Sequence, residues 1–228
     1  MTDHVLLAKC SQAAYEGEES FKLLGFDDVR LMCSKHYRCY VYLAINHSDR
    51  LAVLAFRGTN ERKDILDDIK RFRLKTENGH FIHRGFLDRW SHIQHRVGNM
   101  LRGVPSGYHI AITGHSLGGA LACLAVLKGT VEQALLQPYY FYDIVTFGQP
   151  RIGGKVVAEQ LSRRGLVRYV NQGDIVSKIP TLGYKHGGLE FNLPAKLVDD
   201  YSRFNVFKNH SITEYVRRLE SLKSVYNT

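Results

Sequence analysis

The chain has 228 residues, 44% of them hydrophobic, which suffices for one domain with a substantial core, although two small domains remain open. A formal charge of +9 favours encounters with anionic surfaces. No zinc-finger spacing, RNA-binding signature or basic arm accompanies it, so nucleic acid is not an expected partner.

No run of eighteen apolar residues occurs, and Met1 to Lys9 lacks the apolar length of a signal peptide. A soluble, cytoplasmic protein is therefore expected, with secretion open because a trimmed leader would leave the same sequence. Val5 to Tyr15 reads as a helix, since Leu6, Cys10, Ala13 and Ala14 line one face. Tyr40 to Ala44 and Leu51 to Phe56 read as strands around the polar turn Asn46 to Arg50. In Lys70-Arg71-Phe72-Arg73-Leu74-Lys75 the bases interleave with Phe72 and Leu74, which suits a half-buried strand or, alternatively, a patch that meets acidic lipid head groups. His83 to Leu101 reads as helical beyond Gly85, His109 to Thr113 as a strand, and Ala120 to Leu127 as a helix of small residues. Ile144 to Phe147 and Leu166 to Val170 complete the strands, each preceded by a stretch long enough for a crossover.

Strands alternating with helices predict an α/β fold with a mostly parallel central sheet and helices on both faces. No repeat, low-complexity segment or linker interrupts the chain, so residues 1–228 read as a single domain. Cys10, Cys33, Cys39 and Cys123 show no metal spacing and read as reduced thiols, Cys123 in the core. Adjacent strands would bring Cys33 and Cys39 together, which leaves a disulfide open. His80 and His83 lack a carboxylate partner pattern, and no metal is expected there.

The segment Gly114-His115-Ser116-Leu117-Gly118-Gly119 links the His109 strand to the Ala120 helix and reads as a nucleophile elbow. A serine on so tight a turn projects at the carboxyl end of its strand, above the positive end of a helix dipole. Partners must then come from other strand carboxyl ends. Asp174 lies just past the Leu166 strand, whereas Asp143 precedes its strand and belongs to the wrong edge. The chain order serine, acid, histidine leaves His186 and His210 as bases. His210 is favoured because Ser211-x-x-Glu214 makes a capping box before a helix whose apolar face carries Ile212, Tyr215, Val216, Leu219 and Leu222. His186, between Lys185 and two glycines, reads as a structural polar residue. Oxyanion donors are expected from the amide of Leu117 and from Thr59, where the Val53 to Phe56 strand breaks into Arg57-Gly58-Thr59.

Taken together, Leu54-Ala55-Phe56-Arg57-Gly58-Thr59, His83-Arg84-Gly85-Phe86, Thr113 to Ala120, Thr146 to Gly153, Asn171-x-x-Asp174-Ile175-Val176 and His210 resemble the blocks of the class 3 (fungal-type) lipases, in that family's order. The resemblance runs from about residue 5 to 220 and implies an α/β-hydrolase fold. It also implies a catalytic triad of Ser116, Asp174 and His210, and an oxyanion hole from Thr59 and Leu117. His83, His115, Gln149 and Arg151 match family positions with no chemical step. Neither metal nor organic cofactor is required. The expected partner is a small-molecule or lipid ester, with transient contact to an anionic lipid surface; oligomeric state is left open. The implied activity is hydrolysis of acylglycerol-type or other carboxylic esters. Phospholipase, thioesterase or polyester hydrolase activity, or a non-catalytic binding module, are the alternatives. The family's lid would fall at residues 60–70, where Ile65 stands at a position many relatives give to tryptophan, so smaller or more polar esters are as credible as long-chain triglyceride.

Overall fold

Seven strands pair into one sheet, and the inner ones are apolar runs that carry buried residues toward both faces. The structure, a computed structural model, describes residues 2–59, 74–77, 80–135, 142–195 and 206–226. Strands β1 (Asp28–Ser34), β2 (Cys39–Asn46) and β3 (Leu51–Phe56) form an antiparallel meander, with Asn46 opposite Leu51 across the tight turn. A short hairpin of β4 (Leu74–Glu77) and β5 (His80–His83) stands apart. Beyond it β6 (His109–His115), β7 (Tyr142–Phe147), β8 (Val167–Asn171) and β9 (Leu189–Leu193) run parallel to β3. The order is β1-β2-β3-β6-β7-β8-β9, a mostly parallel sheet of the α/β-hydrolase class with helices on both faces.

Strand period sets the two layers of core. Val41, Leu43, Leu54, Phe56, Ile110 and Ile112 face one side, where α3 (Arg84–Leu101) lays down Phe86, Trp90, Ile93, Val97 and Leu101. Tyr42, Ala44, Val53, Ala55 and Ala111 face the other, covered by α1 (His4–Glu16) and by the helix over Ile212–Tyr226. Burying Trp90 or Phe86 stabilises the fold by about 1.5–3 kcal/mol each. The small-residue helix α4 (Leu117–Leu127) is buried along its whole length to Val126, which is why its sequence shows no polar face. Asp3 caps α1 by accepting from the Val5 amide at 2.9 Å.

Several expectations shift. The helix α2 (Glu18–Leu23), the edge strands β1 and β9, α5 (Thr130–Leu135) and α6 (Lys155–Arg163) add to the elements read from sequence. Residues 60–70, where a lid is expected, and residues 70–73 of the basic cluster lie outside the described residues. All four cysteines are free; Cys33 and Cys39 sit on neighbouring strands, opposite Tyr40 and Ser34.

Candidate active site

At Ser116 the chain turns from β6 into α4 with φ 58° and ψ −126°, a conformation that costs a non-glycine residue of order 1–3 kcal/mol. The turn survives because its neighbours are glycines: a Cβ on Gly118 would overlap the carbonyl of Phe56, and one on Gly114 the backbone of Gly118. The Ser116 amide donates to the Phe147 carbonyl at 3.0 Å, pinning the elbow to β7.

The parallel register places Phe56 opposite Gly114, so Thr59 and the Ser116–Leu117 step leave neighbouring strands at the same rim. Asp174 follows β8 at that rim. His210 lies between α7 (Val206–Asn209) and α8 (Ile212–Tyr226). These distant positions converge: Ser116 Oγ is 2.8 Å from His210 Nε2, and His210 Nδ1 is 2.8 Å from Asp174 Oδ2. All three residues are buried, Ser116 and Asp174 completely.

Asp174 is held by more than the histidine. Its Oδ1 accepts from the Val176 amide at 2.8 Å, and its Oδ2 accepts from the Tyr215 hydroxyl at 2.6 Å. Burial and the Asp174 charge drive the Tyr215 phenol well above its ordinary pKa, so it stays a donor. The same hydroxyl accepts from the Asn171 amide at 3.0 Å. Gly148, at φ 56°, leaves room for this cluster; a Cβ there would lie 2.8 Å from Asp174 Oδ2 and 3.1 Å from the His210 ring.

The expected capping box is corrected. The Ser211 amide donates to the Lys208 carbonyl, and Glu214 turns instead to Arg218, whose Nε donates to it at 2.6 Å, and to Arg217. Arg218 is fully buried; its guanidinium also reaches Asn209 Oδ1 at 2.8 Å and the Leu193 carbonyl at 3.1 Å. Asn171 donates to the Asn209 carbonyl at 2.9 Å. The His210 segment is thus anchored by a buried, hydrogen-bonded ion pair rather than by a cap.

Asp143 lies within β7, as its second residue rather than before it, but on the amino edge as read, where it accepts from His109 and from the Thr2 amide. His186 stays away from the row. Its Nε2 donates to the Ser177 carbonyl at 2.5 Å, and burial, with Arg168 nearby, pushes its pKa down to about 4. Gln149 accepts from Thr146 and Cys123, Arg151 donates to the Lys178 and Pro180 carbonyls, and His83 stacks on Phe86 at 4.1 Å. Tyr215, Asn171 and Arg218 are the site residues that sequence reasoning missed in these roles.

Residues 53–184 match the family model described as Lipase (class 3). The chain belongs to that family. Over 165 residues it is 30% identical to a lipase of Rhizomucor miehei, covering 68% of this chain and 45% of that protein. Over 159 residues it is 33% identical to a lipase of Rhizopus niveus, covering 65% of this chain and 40% of that protein. A solved triacylglycerol lipase, described as having a serine protease triad as its catalytic centre, superposes with a TM-score of 0.68 at 26% identity, covering 83% of this chain and 77% of that one. The chain thus spans less than half the length of these two curated relatives.

Proposed function

We propose that this class 3 lipase-family chain is a serine carboxylic-ester hydrolase acting through Ser116, His210 and Asp174. The observation that carries the reading is the unbroken 2.8 Å row from Ser116 Oγ through the His210 ring to Asp174, beneath a strained elbow. His210 Nε2 removes the Ser116 proton as Oγ attacks the ester carbonyl, and Asp174 stabilises the imidazolium that forms. The amide of Leu117 and the Thr59 group receive the oxyanion, each such donor contributing about 2.7–4 kcal/mol to the transition state. His210 returns the proton to the leaving alcohol, giving an acyl-Ser116 ester. Water, deprotonated by His210, then releases the acid and restores the serine. No step calls for a metal or organic cofactor.

The rim supports a lipid-like ester as substrate. Ile175, beside Asp174, is 38% exposed, and Leu182, on the loop leaving β8, is 90% exposed, with Lys178 exposed between them. Apolar tips flanked by a lysine suit a boundary with anionic head groups, which favours phospholipid as a second substrate class. Among the described residues no helix is long and apolar enough to cross a membrane.

The test is a hydrolysis profile over p-nitrophenyl esters from short to long acyl chains, beside emulsified triglyceride and phospholipid vesicles. Turnover by the wild type and its loss in Ser116→Ala is expected. Substantial turnover by folded Ser116→Ala would refute the reading.

A further inference from the structure

The proposed chemistry leaves unused a buried histidine at the rim. His115, the residue before the nucleophile, is 5% exposed, yet both ring nitrogens are engaged. Nε2 lies 2.6 Å from the His210 carbonyl oxygen, and Nδ1 lies 2.8 Å from the Tyr15 hydroxyl. A carbonyl only accepts, so Nε2 carries the hydrogen; in the neutral ring Nδ1 must then accept from Tyr15 O–H. Burial, reinforced by the nearby His210, holds the His115 pKa well below its ordinary value, so the ring stays neutral. Burial likewise pushes the Tyr15 phenol up, which keeps its proton in place.

Tyr15 also touches the exit of β3. A Cβ on Gly58 would overlap both the Tyr15 hydroxyl and the His115 carbonyl, so the Tyr15 side chain is packed without slack against the backbones of Gly58 and His115. The Arg57 guanidinium lies 4.5 Å from the Tyr40 ring centroid and 5.8 Å from that of Tyr15, closing the far side.

We infer that Tyr15 and His115 are positioning residues, whose hydrogen-bond row fixes the backbone of His210 against the strand that carries Ser116. This rests on the hydrolase reading above. His210 must aim one nitrogen at a serine and the other at a carboxylate, and a displacement of about 1 Å costs about 10²-fold in rate. Clamping its own carbonyl removes that freedom. A neutral imidazole supplies the clamp without adding charge beside a ring that becomes cationic, 4.7 Å away between centroids. Tyr15 fixes the tautomer; without it the hydrogen can move to Nδ1, and the carbonyl loses its donor. The groups facing His115 are Tyr15 from α1, His210 from the α7–α8 junction and, at 5.9 Å between centroids, Tyr215 from α8.

The experiment measures kcat, KM and the pH profile on a water-soluble ester for Tyr15→Phe, His115→Asn and His115→Gln, each normalised to sites titrated by a fluorophosphonate. Glutamine sets an amide near Nε2 and keeps the donor to His210; asparagine reaches only the Nδ1 position and loses it. His115→Asn should lower kcat about 10- to 100-fold and Tyr15→Phe about 10-fold, with KM within about twofold. His115→Gln should recover most of the rate. The acid limb of kcat/KM should move to lower pH in the Asn and Phe variants, because a displaced imidazolium keeps less of the Asp174 contact. Wild-type kcat per titrated site in His115→Asn, a loss that glutamine does not restore, or an unmoved acid limb would each overturn the inference. Hydrolysis surviving in Ser116→Ala would sink the hydrolase reading instead, a separate outcome.

Discussion

Two aspartate–histidine pairs sit on opposite edges of the same sheet, and their chemistry on paper is identical. His109 Nε2 and Asp143 lie 3.0 Å apart at the amino edge, with side chains 36% and 23% exposed. His210 Nδ1 and Asp174 lie 2.8 Å apart at the carboxyl rim, with side chains 8% and 0% exposed. The first pair meets water and the Thr2 amide; the second meets a serine and the Tyr215 hydroxyl. What separates a surface contact from the proposed triad is therefore the strand end. Only the carboxyl rim brings an elbow, a loop acid and a helix-anchored imidazole within hydrogen-bond range.

The largest expected break is Asp174→Asn, which keeps the shape but removes the charge that orients and stabilises His210; kcat should fall about 10⁴-fold. Tyr215→Phe should come next. It deprives Asp174 of a donor and the Asn171 amide of its acceptor, at a cost of about 1–3 kcal/mol in denaturant unfolding. A third effect is in acid. His186 titrates near 6.5 when unfolded but at about 4 when folded, because burial and Arg168 disfavour its charge and its Nδ1 has no acceptor among the described residues. The unfolded chain thus binds the proton first, so stability should decline as pH drops from about 6.5 to about 4 and level off below. Urea midpoints across that range check this, and His186→Gln should flatten the slope. The smallest change is expected from Asp143→Asn, at most about 1 kcal/mol with kcat unchanged. A large rate loss there would erase the distinction between the two edges.

The elbow was legible in the sequence because it is local: an apolar strand, a glycine-flanked serine and a small-residue helix lie within twenty residues. Asp174 was read from its place just past the carboxyl end of a strand, and His210 from the chain order serine, acid, histidine together with a capping box that the structure replaces by the Glu214–Arg218 pair. Side-chain partnership was not legible. Tyr215 reads as one more apolar residue on α8, although a buried phenol requires a partner, and that requirement was the available signal. Glu214 sits at a spacing that fits both a capping box and an i,i+4 contact to Arg218; burial of the arginine decides for the second. The edge strands escaped for a related reason. β1 carries Asp28 and Arg30, and β9 exposes Leu189 and Phe191, so neither shows the buried pattern of the inner strands.

The central claim is tested most directly by the mass of a fluorophosphonate adduct on the intact chain, mapped to a peptide. The account predicts one covalent modification, on Ser116, absent in Ser116→Ala and strongly slowed in His210→Ala. An adduct on another residue, or none on folded protein that hydrolyses esters, would contradict it.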